Sequence, residues 1–169
     1  MPDKRTIEKA RRDKREGKSV ATQAGEFVRE QIEKIRRGVH GARSSKQAIA
    51  IGLSEAREAG VDLPPPRKGK TKTKASTRKS AKYAYEVGQG KRKPKRRPKV
   101  SRAVSAVLKR EPRSAASRKA LSRQARGAAA RRTAAQRSAA ARKAVRTKGA
   151  KGRSVAARKA ARTRARRKS

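Results

Sequence analysis

The stretch SSKQAIAIGLSEAREAG, residues 44–60, carries the signals for both the start and the end of a helix. Ser44 or Ser45 can accept hydrogen bonds from the free amides of a first helical turn. Gly60 can take the left-handed conformation that ends a helix, and Val61 can then pack back onto the last turn. Between these ends, small and medium apolar residues recur at helical spacing, at Ala48, Ile49, Gly52, Leu53 and Ala56. The stretch therefore predicts a helix with a narrow stripe that a second helix can approach closely.

Two more helices are expected before this one. A helix that begins near Thr22 and ends before Gly38 would place four apolar residues on one face with Phe27 beside them, namely Ala24, Val28, Ile32 and Ile35. Residues 2–16 predict a weaker, highly charged helix that Gly17 closes. Residues 19–62, here called the hairpin head, are thus expected to form an antiparallel helical hairpin. A core of this size needs further packing, so either the first helix docks or the head forms a homodimer.

Residues 44–60 resemble a signature of small basic bacterial proteins of uncharacterised function. Those proteins carry the motif Ser-x-x-Gln-Ala-Ile-Ala-Ile-Ala-Leu-Ser-Glu-Ala after a short helix and a glycine-containing turn. The resemblance covers about residues 20–62 and departs from the motif at Gly52, where alanine is usual. It implies a bacterial source and a helical head, and it implies no activity.

The charge of the chain is large and uneven. The 169 residues include 54 Lys and Arg against 12 Asp and Glu, for a formal charge of +42, with 2% aromatic residues and no cysteine. Residues 1–66 hold 15 basic and 10 acidic residues, whereas residues 67–169 hold 39 basic residues and two acids. Pro64, Pro65 and Pro66 mark the boundary as a stiff, extended segment. Such a charge opposes compaction unless a polyanion neutralises it.

The chain is therefore expected to be all-α, with a small helical head of two to three helices and a long, largely disordered basic tail. The expected regions are a charged N-terminal helix at residues 1–18, the hairpin head at 19–62, a disordered basic linker at 63–100, and an Ala/Arg/Lys-rich tail at 101–169. Residues 101–111 predict one short amphipathic helix, capped by Ser101 and stopped by Pro112.

The tail repeats itself. SAASRKA at residues 114–120 recurs as SAAARKA at 138–144 and as SVAARKA at 154–160. Each copy begins with serine, a good N-cap, and continues with helix-forming alanine. Because Arg and Lys repel along such helices, they are expected to form only on a polyanion. The composition is similar to the tails of linker histones and of the linker-histone-like proteins with which some bacteria compact DNA.

Residues 91–99, KRKPKRRPK, form the densest cationic segment. Pro94 and Pro98 are expected to keep it extended, so that it can follow a phosphate backbone. In a eukaryote the same run would serve as a nuclear import signal. Tyr83 and Tyr85, just before it, could stack on exposed bases, or could form a small cluster with Val87.

The sequence offers little for catalysis. His40 is the only histidine and lies in an inter-helix turn, where an exposed or capping role is expected, and Glu55 and Glu58 are expected to pair with Arg57 or with the tail. Nucleophile and phosphate-loop motifs are absent, so we expect neither an enzyme nor a cofactor nor a metal site. No apolar run is long enough to cross a membrane and the N-terminus does not resemble a secretory signal, so a cytoplasmic protein with no membrane partner is expected.

These features favour a non-enzymatic, nucleoid-associated protein that binds and compacts double-stranded DNA by neutralising phosphates, with little reading of sequence. The alternative partner is RNA, including ribosomal RNA, and a third possibility is an assembly protein whose head binds another protein. The residues expected to bind nucleic acid are Lys91, Arg92, Lys93, Lys95, Arg96, Arg97, Lys99, Arg118, Lys119, Arg142, Lys143, Arg158 and Lys159.

Overall fold

Helices are the regular elements of the computed structural model, which describes residues 2–67, 73–95 and 98–166, with the backbone alone for Lys148; no strand occurs among these residues. The elements are α1 (Lys4–Arg15), α2 (Val20–Arg36), α3 (Ser45–Glu58), α4 (Ala75–Gly88), α5 (Pro98–Arg110), a 3₁₀ turn (Arg113–Ala116), α6 (Arg118–Ala130) and α7 (Ala134–Ala165). The chain divides into two compact units, residues 1–124 and residues 125–169.

The two helices expected within residues 19–62 are present as α2 and α3 and pack against each other, with ends close to those predicted. Ser19 caps α2 by accepting a hydrogen bond from the amide of Thr22, so α2 begins slightly earlier than expected. Ser44 caps α3, its Oγ lying 3.3 Å from the amide nitrogen of Gln47. At the other end Gly60 has a φ of 87°, and the amide of the buried Val61 donates to the carbonyl of Ala56 over 3.0 Å. This ending satisfies the last carbonyls of α3, as the glycine and the valine predicted.

The small-residue stripe of α3 packs against α2 at close range. A Cβ atom on Gly52 would lie 2.7 Å from Cα of Val28, a distance that real Cβ atoms do not reach. Glycine thus lets the two backbones meet here. Ala48 and Ala56, one turn on either side, have no exposed surface at all. The departure from the alanine of the resembling motif therefore tightens a helix contact.

The first helix supplies the extra packing that the hairpin needs. Ala10 of α1 is buried in one apolar cluster with Phe27 and Val61, and Ile7 packs against the same cluster. Asp3 caps α1 through the amide of Arg5, and its own amide donates to Oε1 of Glu30 on α2 over 2.9 Å. The docking of α1 thus covers the largest buried side chain of the head.

The expected disordered tail is wrong, and the first departure is α4. Its alanines Ala81 and Ala84 are buried, and α4 packs along α3. Gly88 lies so close to the carbonyl of Arg57 that a Cβ atom there would overlap it. The phenol of Tyr85 also donates to Oδ1 of Asp62 over 2.6 Å. A helix made of small residues thus finds a partner surface that its composition did not reveal.

The second departure is the 3₁₀ turn, which docks onto the hairpin head. Ala115 and Ala116 are buried in an apolar cluster with Ile32, Ile35 and Ala48, and Leu121 of α6 packs against it. Oγ of the buried Ser45 donates to the carbonyl of Ala115 over 2.6 Å, and Nε of Arg36 donates to that of Ala116 over 3.0 Å. The first copy of the repeat therefore begins inside a folded core.

The third departure is α7, which is helical over Ala134–Ala165 apart from a break at Gly149. Thr133 and Gln136 form a reciprocal capping box at its start, with side-chain to amide distances of 3.2 Å in both directions. Alanine, arginine and lysine are all strong helix formers. Capping and propensity together outweigh the repulsion between neighbouring cations on which the disorder prediction rested.

Candidate nucleic-acid interface

Several cations of residues 1–66 pair with nearby carboxylates, and the 15 basic and 10 acidic residues of this segment leave a net charge of only +5. Nζ of Lys18 lies 2.7 Å from both Asp13 and Glu16, which raises the pKa of Lys18. Lys34 pairs with Glu30, and Arg37 pairs with Glu33 one helical turn away. The Glu30 carboxyl is buried, which alone would raise its pKa, but hydrogen bonds from Lys34 and the Asp3 amide outweigh burial and lower it. The head therefore offers a polyanion little unmatched charge.

Residues 67–169 are different, because their 39 basic residues share only Glu86 and Glu111. Glu86 pairs with Lys82 and Arg92, at 3.7 and 3.3 Å. Glu111 faces Arg43 of the head at 3.8 Å. The remaining cations of this region have no acidic residue of their own region to neutralise them, which makes it the candidate interface.

The start of the predicted cationic segment is held on the end of α4. Just beyond the end of α4, Gly90 has a φ of 71°, and the amide of Lys91 donates back to the carbonyl of Glu86. The guanidinium of Arg92 lies over the ring of Tyr83, 5.1 Å from its centroid, and the Tyr83 hydroxyl accepts from the amide of Lys95 over 2.7 Å. Tyr83 thus positions this segment. The side chains of Lys91, Arg92, Lys93 and Lys95 are exposed.

The end of the same segment differs from the prediction. Pro98 and Lys99 belong to the first turn of α5, where proline is tolerated because its missing amide would have no helical partner. The segment is therefore not extended throughout, and α5 begins before the expected cap Ser101. Lys99 is exposed on α5. Arg96 and Arg97, also predicted to bind, lie outside the described residues.

The structure separates the three repeat copies. In the first copy Ser114–Ala116 lie in the docked 3₁₀ turn, while Arg118 and Lys119 are exposed at the start of α6, which Ser117 caps. The second and third copies both lie within α7, with exposed Arg142, Lys143, Arg158 and Lys159. The first copy thus differs in structure from the other two.

Further exposed cations of α7 were not among the predicted residues. Arg146 and Arg162 follow Arg142 and Arg158 by four positions, which places each pair on one side of the helix. Arg137 and Arg153 precede the same pairs by five positions. A comparison of the chain with itself at an offset of 16 residues would have found all four, because each member of these pairs has its counterpart at that offset.

The predicted roles of the head's ionisable residues are partly wrong. Arg57 does not pair with Glu55 or Glu58; it donates to the carbonyls of Leu53 and Leu63, and burial lowers its pKa. Glu55 instead accepts a 2.6 Å hydrogen bond from the buried amide of Gln31. His40 is half-buried: Nδ1 donates to the carbonyl of Gly41 over 2.9 Å, and Nε2 faces Oε1 of Gln31 at 3.0 Å. These contacts fix the inter-helix turn.

Membrane spans and metal-binding clusters are both absent from the described residues. No described helix is long and apolar enough to cross a membrane. Among the same residues, no three His, Asp or Glu side chains are grouped so that they could hold a metal ion.

Comparison with known proteins gave a match for the N-terminal part of the chain, which includes the hairpin head. A comparison with curated proteins and with solved structures found no match. Residues 11–68 match a family described as a family of unknown function (DUF6496). The matched segment contains α2, α3 and part of α1, about a third of the chain. The chain is therefore similar to this uncharacterised family over the hairpin head, as the resemblance of residues 44–60 implied in general terms.

Proposed function

We propose that this protein binds and compacts double-stranded DNA in the bacterial nucleoid, without catalysis or a cofactor and largely without regard to sequence. One observation supports this most: in residues 67–169 nearly all the cations that the structure describes lie exposed, most of them on helices, and this region has only two carboxylate side chains, Glu86 and Glu111. Such a surface binds phosphates by releasing the counterions that surround the duplex.

We expect the protein to distinguish DNA sequences only weakly, because of the hydrogen bonds that its polar side chains already make. Bases are read in the major groove mainly by Asn, Gln and Arg that present paired hydrogen-bonding groups. Gln136 of α7 is engaged in the capping box, where its Oε1 accepts from the Thr133 amide. The cationic side chains that remain can neutralise phosphates of any sequence.

The contacts of Tyr83 and Tyr85 within the protein favour double-stranded DNA over single-stranded RNA as the partner. Binding to unpaired bases usually relies on free aromatic faces. The ring of Tyr83 is covered by Arg92 on one side, and the hydroxyl of Tyr85 is hydrogen-bonded to Asp62. The hydrogen bond to Asp62 also raises the pKa of Tyr85. Both side chains thus hold the fold together.

The test is the salt dependence of binding to two unrelated 24-base-pair DNA duplexes. If about ten phosphates are contacted, the logarithm of the binding constant should fall with the logarithm of salt concentration at a slope of about −9. Both duplexes should bind with similar affinity. A slope shallower than about −3 would contradict the proposal. In cells, DNase and not RNase should release the crosslinked protein, and the reverse result would favour an RNA partner.

A further inference from the structure

The two repeat copies in α7 are parts of longer units. Residues 133–148, TAAQRSAAARKAVRTK, and residues 149–164, GAKGRSVAARKAARTR, are identical at 10 of 16 positions. We call these the first arm and the second arm. The seven-residue copies at 138–144 and 154–160 form the middle of these arms.

The backbone breaks where each arm begins. Thr133, the first residue of the first arm, is an N-cap with extended backbone, at φ −66° and ψ 161°. Gly149, the first residue of the second arm, has φ 61° and ψ 178° in the middle of α7. This conformation is open essentially to glycine alone. Repeat boundary and backbone break therefore coincide at both positions.

One side-chain contact repeats along with the sequence. The hydroxyl of Thr147 donates to the carbonyl of Lys143 over 2.9 Å, and that of Thr163 donates to the carbonyl of Lys159 over 3.0 Å. The arginine contacts are not the same, because Arg137 donates to the carbonyl of Arg132, five residues back, and Arg153 donates to that of Gly149, four residues back. The threonine contact is thus made once at the same place in each arm.

In an unbroken helix, the cationic side chains of the two arms would point to nearly opposite sides of the helix axis. At 3.6 residues per turn, an offset of 16 residues rotates a side chain by about 160° beyond four full turns. Within the first arm, Arg142, Lys143 and Arg146 lie within about 100° of one another around the axis. Their counterparts in the second arm would then point to nearly the opposite side, and one straight duplex could not contact both sets. The break at Gly149 removes this constraint.

We propose that the arms are two equivalent binding modules for B-form DNA, and that Gly149 allows both to lie in the major groove of the same duplex. This rests on the proposed DNA-binding function and adds the binding mode. The major groove, about 12 Å wide, admits an α-helix, whereas that of A-form RNA is too deep and narrow. Each arm is about 22 Å long at 1.5 Å per residue, so a straight helix of both arms would leave a curving groove.

The experiment compares full-length variants of equal charge on a 24-base-pair DNA duplex. Gly149→Ala should join the arms into one helix and weaken binding at least about tenfold, because bivalent contact is lost. The salt slope should become shallower by about 2.7, the share of three phosphates. Gly127→Ala is the matched control: its Cβ would meet only the Arg131 side chain at 3.8 Å, so binding should stay unchanged. Circular dichroism should show that both variants remain helical.

The Gly149→Pro variant shows whether DNA binding requires a break in the helix at residue 149, or whether any substitution at this residue weakens binding. Proline also interrupts the helix, so this variant should bind within about threefold of the wild type. The proposal is overturned if Gly149→Ala binds like the wild type, or if Gly149→Pro is as weak as Gly149→Ala. Equal affinity of the wild type for a 24-base-pair RNA duplex would overturn the major-groove assignment. If the wild type fails to bind DNA at all, the proposed function itself is wrong, and not only this binding mode.

Discussion

Gly52 lies where the backbones of α2 and α3 approach too closely for any side chain. The Gly52→Ala variant would bring a Cβ atom within 3.0 Å of three backbone atoms of Phe27 and Val28, so the helices must separate. We expect a loss of about 1–3 kcal/mol in the free energy of unfolding, as for other overpacked sites. Gly25→Ala is the control, because nothing lies within 4 Å of its Cβ. That variant should stabilise α2 by about 0.5–1 kcal/mol, and urea unfolding would measure both. Equal changes in the two variants would contradict the close approach.

Glu55 should make stability depend on pH with a definite sign. Burial raises the pKa of this carboxyl, and the hydrogen bond from Gln31 opposes burial without cancelling it. The folded state therefore holds the proton to higher pH than the unfolded state. The stability linked to Glu55 is complete below the unfolded pKa and is lost as the pH rises through the folded pKa.

The Glu55→Gln variant isolates this effect, since its amide oxygen can still accept from Gln31. The melting temperature of the wild type minus that of the variant should increase as the pH is lowered from 7 to about 4.3. Glu30, whose lowered pKa acts in the opposite direction, is present in both proteins and cancels from the difference. A difference that stays constant over this range would show that burial does not perturb Glu55.

At the scale of elements, the 3₁₀ turn contacts the head through the buried Ala115 and Ala116 and through two side-chain hydrogen bonds to their carbonyls. The carbonyl of Ala115 is buried and accepts from Ser45. Ser45→Ala would leave that carbonyl unsatisfied, which costs about 1–3 kcal/mol. We therefore expect lower stability and faster trypsin cleavage after Arg110 and Arg113, detected by mass spectrometry. Ser105→Ala, on the exposed side of α5, should change neither quantity.

The same turn shows why the sequence predicted α2 and α3 but did not predict that α4 and the 3₁₀ turn pack against them. In α3 the cap, the stripe and the final glycine are all local signals, and each has a structural counterpart. The burial of Ala84 or Ala116 is decided by partners far away along the chain. A small core of alanines and glycines gains its contacts from close backbone approach, which composition does not reveal. The expectation of a long, largely disordered basic tail was wrong for this reason.

The sequence predicted which cations of the candidate interface are exposed, but it did not predict how the helices divide them into structural units. Exposed cations occur at the predicted positions that the structure describes, because charge density alone selects them. The breaks at Thr133 and Gly149 depend on backbone geometry, and they divide α7 differently from the seven-residue repeats. The first copy differs from the other two because it packs against the head. Nothing in its seven-residue sequence predicted this packing.

At the scale of the whole molecule, the proposed function and the net charge together predict how much DNA one protein can neutralise. Duplex DNA carries one negative charge per about 1.7 Å of axis, or two per base pair. A net charge of +42 therefore matches about 21 base pairs. Residues 125–169 contain 17 basic residues and no acid, and both apolar clusters of the head lie outside them. Removal of these residues should thus change the charge of the protein while the fold of the remainder persists.

A truncated protein of residues 1–124 tests whether compaction is set by phosphate neutralisation. Its 37 basic and 12 acidic residues leave a charge that matches about 12 base pairs. Light scattering of long DNA titrated with protein should show condensation near one full-length molecule per 21 base pairs, and near one truncated molecule per 12. Circular dichroism should confirm that the truncated protein still melts cooperatively. If both proteins condense DNA at the same number of molecules per base pair, specific contacts and not total charge would govern compaction. Condensation that persists at 1 M salt would lead to the same conclusion, because screening at that ionic strength confines charge interactions to about 3 Å.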